Sequence, residues 1–245
     1  MPKVSINILT KNRAEFLKKA LASVVNQSFK DIEVVVVNDG STDETAQVIL
    51  GYKDIKILNH QEPLGITQSR QEALEASKGE YVAILDDDDE WVNMDKLKKQ
   101  AEFLDANPDY VLVGGGMKIE LGSKNYELRM RPQSDRQIRR TMLLRNNFFT
   151  STIMFRKEAA VNVGGFIKDN IDLCEDYDLW LRLGKMGKMH NFQEVFTRYR
   201  LSDYNKHKFK VFLQKQLYLA NREKKVYPWY FLAKTILRCR LLIGK

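Results

Sequence analysis

Residues 81–91 read YVAILDDDDEW. The run from Tyr81 to Leu85 is apolar without polar alternation. That predicts a strand covered on both faces, as in the interior of an α/β sheet. Asp86, Asp87, Asp88 and Asp89 follow it directly. In open α/β sheets, ligands bind just beyond the carboxyl ends of the strands. Four adjacent carboxylates there repel one another unless positive charge sits among them. A hard divalent cation with oxygen ligands, Mg2+ or Mn2+, meets that need. Held by only one or two carboxylates, it keeps open positions for substrate phosphates. The other reading of the same residues is a solvated acidic turn ahead of the helix near Asp95.

Working outward from this stretch, residues 4–9, 33–38 and 55–58 are short apolar runs that read as strands. Residues 14–26 and 66–77 carry apolar side chains at helical spacing, and a helix between them runs to about Tyr52, capped by Ser41 or Thr42. The order βαβαβαβ predicts parallel pairing with right-handed crossovers. The turns at 10–13, 39–43 and 86–89 then share one sheet edge, where a nucleotide would sit. Neither GxxxxGK[ST] nor GxGxxG is present, so the phosphates are not held in a glycine cradle. Downstream, helices are expected at 96–107, 136–144, 157–162 and 172–185. Strands are expected at 110–113, 151–155 and 195–201, with Gly114-Gly115-Gly116 bending the chain and a hairpin folding residues 117–121 onto 126–131 across Gly122-Ser123. The fold class is therefore α/β, a Rossmann-like, mostly parallel sheet flanked by helices.

Composition narrows the function. The chain has 245 residues, enough for one large domain or one domain with an appendage. Cys174 and Cys239 lie far apart without metal-like spacing, which argues for a reducing compartment. The first residues lack the apolar run of a signal peptide, and no window reads as a membrane span, so a cytoplasmic location is expected. The net charge of +8 is uneven: residues 206–245 hold eleven Lys/Arg and one acid, which leaves −2 for residues 1–205. Without a basic groove in the body of the chain, nucleic acid is excluded as the partner.

Several motifs in order now resemble one family. VSINILTKNR, EVVVVNDGSTDET, PLGITQSRQEALEASKGEYVAILDDDDEW, STIMFRKEAAVNVGGF and CEDYDLWLRL are similar to glycosyltransferase family 2, enzymes of GT-A-type fold that use nucleotide sugars. The resemblance covers about residues 3–200. It implies a domain at 1–203, with a nucleotide-sugar half at 1–115 and an acceptor and catalytic-base half at 116–203. It implies that Asp39 binds the nucleotide base, that Thr10, Asn12 and Arg13 line the same pocket, and that Arg70 lies near the diphosphate. Asp86 and Asp88 match the outer residues of the DxD motif: Asp88 as metal ligand, Asp86 for ribose and sugar contacts and as second ligand, with Asp87 among the donor-binding residues. Asp176 is implied as the catalytic base, with Glu175 beside it. The cofactor is Mn2+ or Mg2+, the donor a nucleoside-diphosphate sugar with UDP the default, and the acceptor a hydroxyl of a glycan or lipid-linked molecule. Lys11 stands where the family often has an aromatic, Leu64 where a Gly is common, Gln71 where an Asn is common, and Asn93-Met94 where a Pro is frequent. Read singly, Asp39-Gly40 could be a plain turn, Arg70 could pair with Glu72 or Glu75 on a solvated face, and Glu175-Asp176 could only favour a helix start. His60, His190 and His207 show no ligand spacing and read as surface or structural residues.

The basic tail, residues 204–245, lies outside the resemblance. From Trp229 a helical wheel sets Lys234, Arg238 and Lys245 opposite Trp229, Leu232, Ile236 and Ile243, the pattern of a helix lying on an anionic membrane. A helix packed on the catalytic domain and a contact in a homodimer are the other two readings. The first of the three places the protein on the inner face of the cell membrane.

Overall fold

A computed structural model of the chain describes residues 1–121, 125–167, 171–200 and 206–243. Strands β1 (Val4–Thr10), β2 (Ile32–Asp39), β3 (Ile55–His60) and β4 (Tyr81–Asp86) lie in parallel in the order β3-β2-β1-β4. Helices α1 (Ala14–Val25), α2 (Thr45–Leu50) and α3 (Ile66–Ala76) make the crossovers. Strand β8 (Met154–Arg156) joins antiparallel to β4, and beyond it come β6 (Tyr110–Glu120), β9 (Lys188–Arg200) and the short β5 (Glu90–Trp91). Strand β7 (Tyr126–Arg129) pairs antiparallel with β6 as expected, and residues 122–124 between them lie outside the described residues.

The apolar run of β4 is explained by cover on both faces. Tyr81, Ala83 and Leu85 point into a core built with Ile6, Ile8, Leu17, Leu21 and Leu97. Val82 and Ile84, on the opposite face, join a second core with Phe155, Trp180 and Leu183. The period of two splits one strand between two cores.

Four expectations are corrected. The strand expected to end at Val113 runs on through Gly114-Gly115-Gly116 as β6, with irregular pairing to β9 at these glycines. A Cβ at Gly114 would collide with Asn191 and Phe148, and one at Gly115 with the Phe196 ring, so the glycines serve close packing. Strand β9 begins at Lys188, seven residues before 195, because β6 offers it a partner along its whole length. The helix expected from 172 starts at Glu175 as α7 (Glu175–Leu183), since Leu173 is held at φ 67° just before it. At α2 neither Ser41 nor Thr42 supplies the cap: Asp43 Oδ1 accepts from the Thr45 amide at 3.0 Å.

The tail forms two helices, α8 (Lys206–Arg222) and α9 (Tyr230–Ile243). Leu213, Leu219, Tyr227, Ala233 and Leu237 are buried in the same core as Trp180 and Leu183. Tyr227 Oη donates to the Leu181 carbonyl at 2.8 Å, and Lys185 pairs with Glu223 at 2.7 Å. The tail therefore packs on the rest of the protein, α9 through Ala233 and Leu237. Trp229 precedes α9 rather than lying on it, and with Leu232 and Ile236 it is left exposed. Lys245, the side chains of His207 and Ile243, and the 203/204 boundary fall outside the described residues. Among the described residues, no helix is long and apolar enough to cross a membrane.

Candidate active site

The parallel register puts the ends of β1, β2 and β4 on one edge, with Thr10 beside Asn38 and Leu9 beside Asp86. A cavity of about 300 Å3 opens there, and Thr10, Lys11, Arg13, Asp39, Ser69 and Asp87 help to line it. Asp39 is fixed on three sides. It accepts from the Leu64 amide at 2.7 Å, the Gly65 amide at 3.1 Å and His60 Nδ1 at 2.7 Å. Burial opposes its charge, but these bonds hold its carboxyl below the usual range. Gly40 at φ +70° lets the turn after Asp39 close against Pro63, a conformation that side chains disfavour. Asn12, itself at φ 53°, does not line the cavity. It ties two turns together instead, its Oδ1 accepting from the Thr42 amide at 2.7 Å and its own amide donating to Ser41 Oγ at 2.9 Å.

The aspartate turn is only partly solvated: Asp87 and Asp89 are buried, and Asp86 and Asp88 are half-buried. Arg13 Nη1 reaches Asp87 at 3.0 Å and Asp88 at 2.7 Å. Burial pushes the Asp87 carboxyl up to about 6 in spite of Arg13. Burial and the neighbouring Asp86 likewise raise Asp88, and Asp89 is raised further. The turn is thus short of positive charge even with Arg13 in place. That deficit and the all-oxygen donor set suit a hard divalent cation. Among the described residues no three His, Cys, Asp or Glu side chains converge as a metal site. A cation here would take one or two carboxylates, Asp88 and Asp86, and complete its shell from a ligand.

Arg70 joins this turn to α7. It is buried, with Nη2 3.0 Å from Asp86 and Nε 3.3 Å from Glu175. Burial disfavours its charge, but Asp86, Glu175 and Asp176 outweigh it. Glu175 is pushed up to about 7 by burial, against the pull of Arg70. Next to it, Asp176 accepts from Thr150 Oγ1 at 2.7 Å and is only partly buried. The cavity, the acidic turn and the Glu175-Asp176 pair therefore lie in one line of contacts.

The family model "Glycosyl transferase family 2" matches residues 5–164. The chain belongs to that family. Escherichia coli WfaP, named UDP-Glc:alpha-D-GlcNAc-diphosphoundecaprenol beta-1,3-glucosyltransferase, is 30% identical over 82% of this chain and 78% of its own. TuaG of Bacillus subtilis, a glycosyltransferase named for teichuronic acid biosynthesis, is 30% identical over 82% of this chain and 79% of its own. The mannosyltransferase PcManGT of Pyrobaculum calidifontis, solved with GDP-Man and Mn2+, superposes with a TM-score of 0.71 at 19% identity, over 98% of this chain and 70% of that one. That likeness bears out the fold. Among the curated relatives it matches, the chain spans from 34% to 79% of their length.

Family membership makes glycosyl transfer the reaction class. Of the residues that the sequence singled out, Thr10, Arg13, Asp39 and Asp87 meet at the cavity, while Asp86, Arg70, Glu175 and Asp176 follow one another beside it. Arg70 does not pair with Glu72 or Glu75; Glu72 is taken by His60 Nε2 at 2.8 Å. His60, read as a surface or structural residue, is buried between two acids. Its pairing across β2 and β3, Asp39 opposite His60, is not legible until the strands are in register. Thr150 and Ser151 were missed altogether. Ser151 Oγ accepts from the Asp86 amide at 3.0 Å, and its carbonyl accepts from Trp91 Nε1 at 2.7 Å. The hydroxyls of Thr150 and Ser151, at the head of TSTIMF (residues 150–155), carry no signal of these contacts.

Proposed function

We propose that this protein is an inverting glycosyltransferase that moves a sugar from a nucleoside-diphosphate donor, UDP by default, to a hydroxyl of a glycan or lipid-linked acceptor in cell-surface polysaccharide synthesis. The observation that supports the reading is the Asp86–Arg70–Glu175 chain of contacts, with Asp176 next to Glu175 and within the electrostatic reach of Arg70. In this reading Asp39 binds the base, and Arg13 and Arg70 lie along the diphosphate. Residues 1–115 serve the donor and 116–203 the acceptor. A divalent cation on Asp88 and Asp86 would offset the charge that builds on the leaving diphosphate. Asp176, oriented by Thr150, takes the proton of the acceptor hydroxyl as its oxygen attacks the anomeric carbon and the bond to the diphosphate breaks. With one base and no second carboxylate assigned as nucleophile, attack is direct and the anomeric centre inverts. The exposed face of α9 holds the protein on an anionic membrane surface, on its cytoplasmic side.

Release of free UDP from a panel of UDP sugars, with Mn2+ and with chelator, tests the reading. Thermal shifts with UDP, GDP, CDP and dTDP sugars report the base, because a ligand that binds only the native state raises its stability. Asp88→Asn is expected to abolish the metal-dependent part of both signals while the apo protein melts no lower. Turnover that stays Mn2+-dependent in that variant removes Asp88 from the site.

A further inference from the structure

A second cavity, of about 560 Å3, opens between α5 (Asp135–Thr141), the chain before it and the start of α9. Arg131, Arg140, Leu144, Gln193, Trp229 and Leu232 are among its lining residues. Its charge is unbalanced. Among the described residues, Arg131 has no carboxylate partner, and its buried Nε has no hydrogen-bond partner at all. Burial, then Arg145 and Arg129 nearby, push its guanidinium down to about 10. A half-buried cation among cations, its Nε shielded from solvent and without an acid to hold it, is a seat for an anion. The segment is built rather than loose. Gln193 Nε2 donates to the Arg131 carbonyl at 3.1 Å, and Asn191 Nδ2 to the Pro132 carbonyl at 3.0 Å.

The other wall is apolar and strained. Trp229 is 49% exposed and Leu232 43%, and Trp229 is held at φ 68°, which a side chain adopts only against a cost. The groove also touches the active site. The Arg131 guanidinium stacks 4.4 Å from the Phe149 ring centroid, and the next residue, Thr150, holds Asp176. An anion on Arg131 therefore lies within two residues of the carboxylate that faces the acceptor.

We propose that this groove is the acceptor's anchoring site, and that it takes a phosphate or diphosphate ester with a long apolar chain: the phosphates on Arg131 and Arg140, the chain along Trp229, Leu232 and Leu144. The proposal rests on the transferase reading and names the part of the acceptor that the protein grips away from the reacting hydroxyl. Arginines match phosphate oxygens with paired donors, and the apolar wall separates such a lipid from a free anion.

The test is equilibrium binding of farnesyl diphosphate to the full chain, followed by tryptophan fluorescence and calorimetry, with chelator present so that the aspartate turn cannot recruit metal. Inorganic pyrophosphate and farnesol are the two comparison probes. Farnesyl diphosphate is expected to bind at least about tenfold tighter than either, since each lacks one half of the contacts. The Arg131→Gln/Arg140→Gln variant is expected to lose about tenfold or more per arginine. The Arg131→Lys/Arg140→Lys variant should recover part of that, and Trp229→Ala should weaken farnesyl diphosphate but not pyrophosphate. Unchanged binding in the Gln variant overturns the proposal. So does equal binding of pyrophosphate, which would make the groove a free-anion site, and so does competition by UDP, which would move the ligand to the donor cavity. UDP release from UDP sugars is measured on the same preparation. Release without farnesyl diphosphate binding overturns the groove and leaves the transfer reading standing. Groove binding without release from any donor sugar does the reverse.

Discussion

His60 is wedged between two carboxylates, and its charge state decides how firmly Asp39 is held. Burial works against the imidazolium, but Asp39 and Glu72 outweigh it, so its pKa lies above the ordinary value. The native protein then binds this proton more tightly than the unfolded chain does. The stabilisation is complete below about 6.5, the unfolded value, and is lost as pH rises through the higher folded value. Asp39 runs the other way: its lowered pKa contributes above its unfolded value and is lost on acidification. Urea melts from pH 6 to 9 should therefore show stability falling with pH, and His60→Gln should flatten that fall. Parallel slopes in the two proteins would mean that His60 is neutral throughout. Asp176 supports a separate prediction. Asp176→Asn keeps the bond from Thr150 but cannot take a proton, so kcat should fall by about 10^2- to 10^4-fold. Donor affinity should stay near normal, because the proposed role of Asp176 is toward the acceptor. A kcat close to wild type would move the base to Glu175 or Asp178.

At the scale of elements, β6 holds the clearest departure from sequence reasoning. Three glycines in a row look like a break, yet they are the only residues small enough to let Phe148, Phe196 and Met130 lie against the strand. Gly115→Ala would drive a methyl into the Phe196 ring, and overpacking of this kind costs about 1–3 kcal/mol. A urea midpoint unchanged by this substitution would show that the ring can swing away. The stretch of the chain before Trp91 was legible because its signals are local. Each strand is a short, mainly apolar run, each turn is polar, and alternation with helices dictates parallel order. The donor turns at Thr10, Asp39 and Asp86 follow from that order alone. What stayed hidden depends on pairing between distant segments: the length of β9 is set by β6, the position of Ser151 by Asp86 and Trp91, and the partners of Arg70 by the start of α7. Register between strands far apart in sequence leaves no periodic trace in either strand.

At the scale of the whole molecule, α8 and α9 close the second core on one side and present an apolar, basic surface on the other. Truncating the chain at Asp203 would bare the core around Trp180 by removing Leu213, Leu219, Tyr227 and Leu237, each of which contributes about 1.5–3 kcal/mol of burial. Such a truncation would unfold the body and could not report on a membrane. The outward side chains can. Phe231 is 81% exposed and Leu242 87%, with Lys224, Lys225 and Arg238 exposed alongside. Isolated exposed apolar residues are ordinary, but several on one helix, with cations on it and just before it, are the arrangement that lies in a headgroup layer. Each cation near an anionic surface contributes on the order of 1 kcal/mol, and the effect is screened by salt. The full chain is therefore expected to pellet with phosphatidylglycerol vesicles at low salt, to be released at high salt, and to ignore pure phosphatidylcholine. Phe231→Asp/Leu242→Asp should leave the thermal midpoint in place, because neither side chain is buried, and should leave most of the protein in the supernatant. Equal pelleting of the variant and the wild type would remove the membrane from the account of α9 while leaving its packing on the body intact.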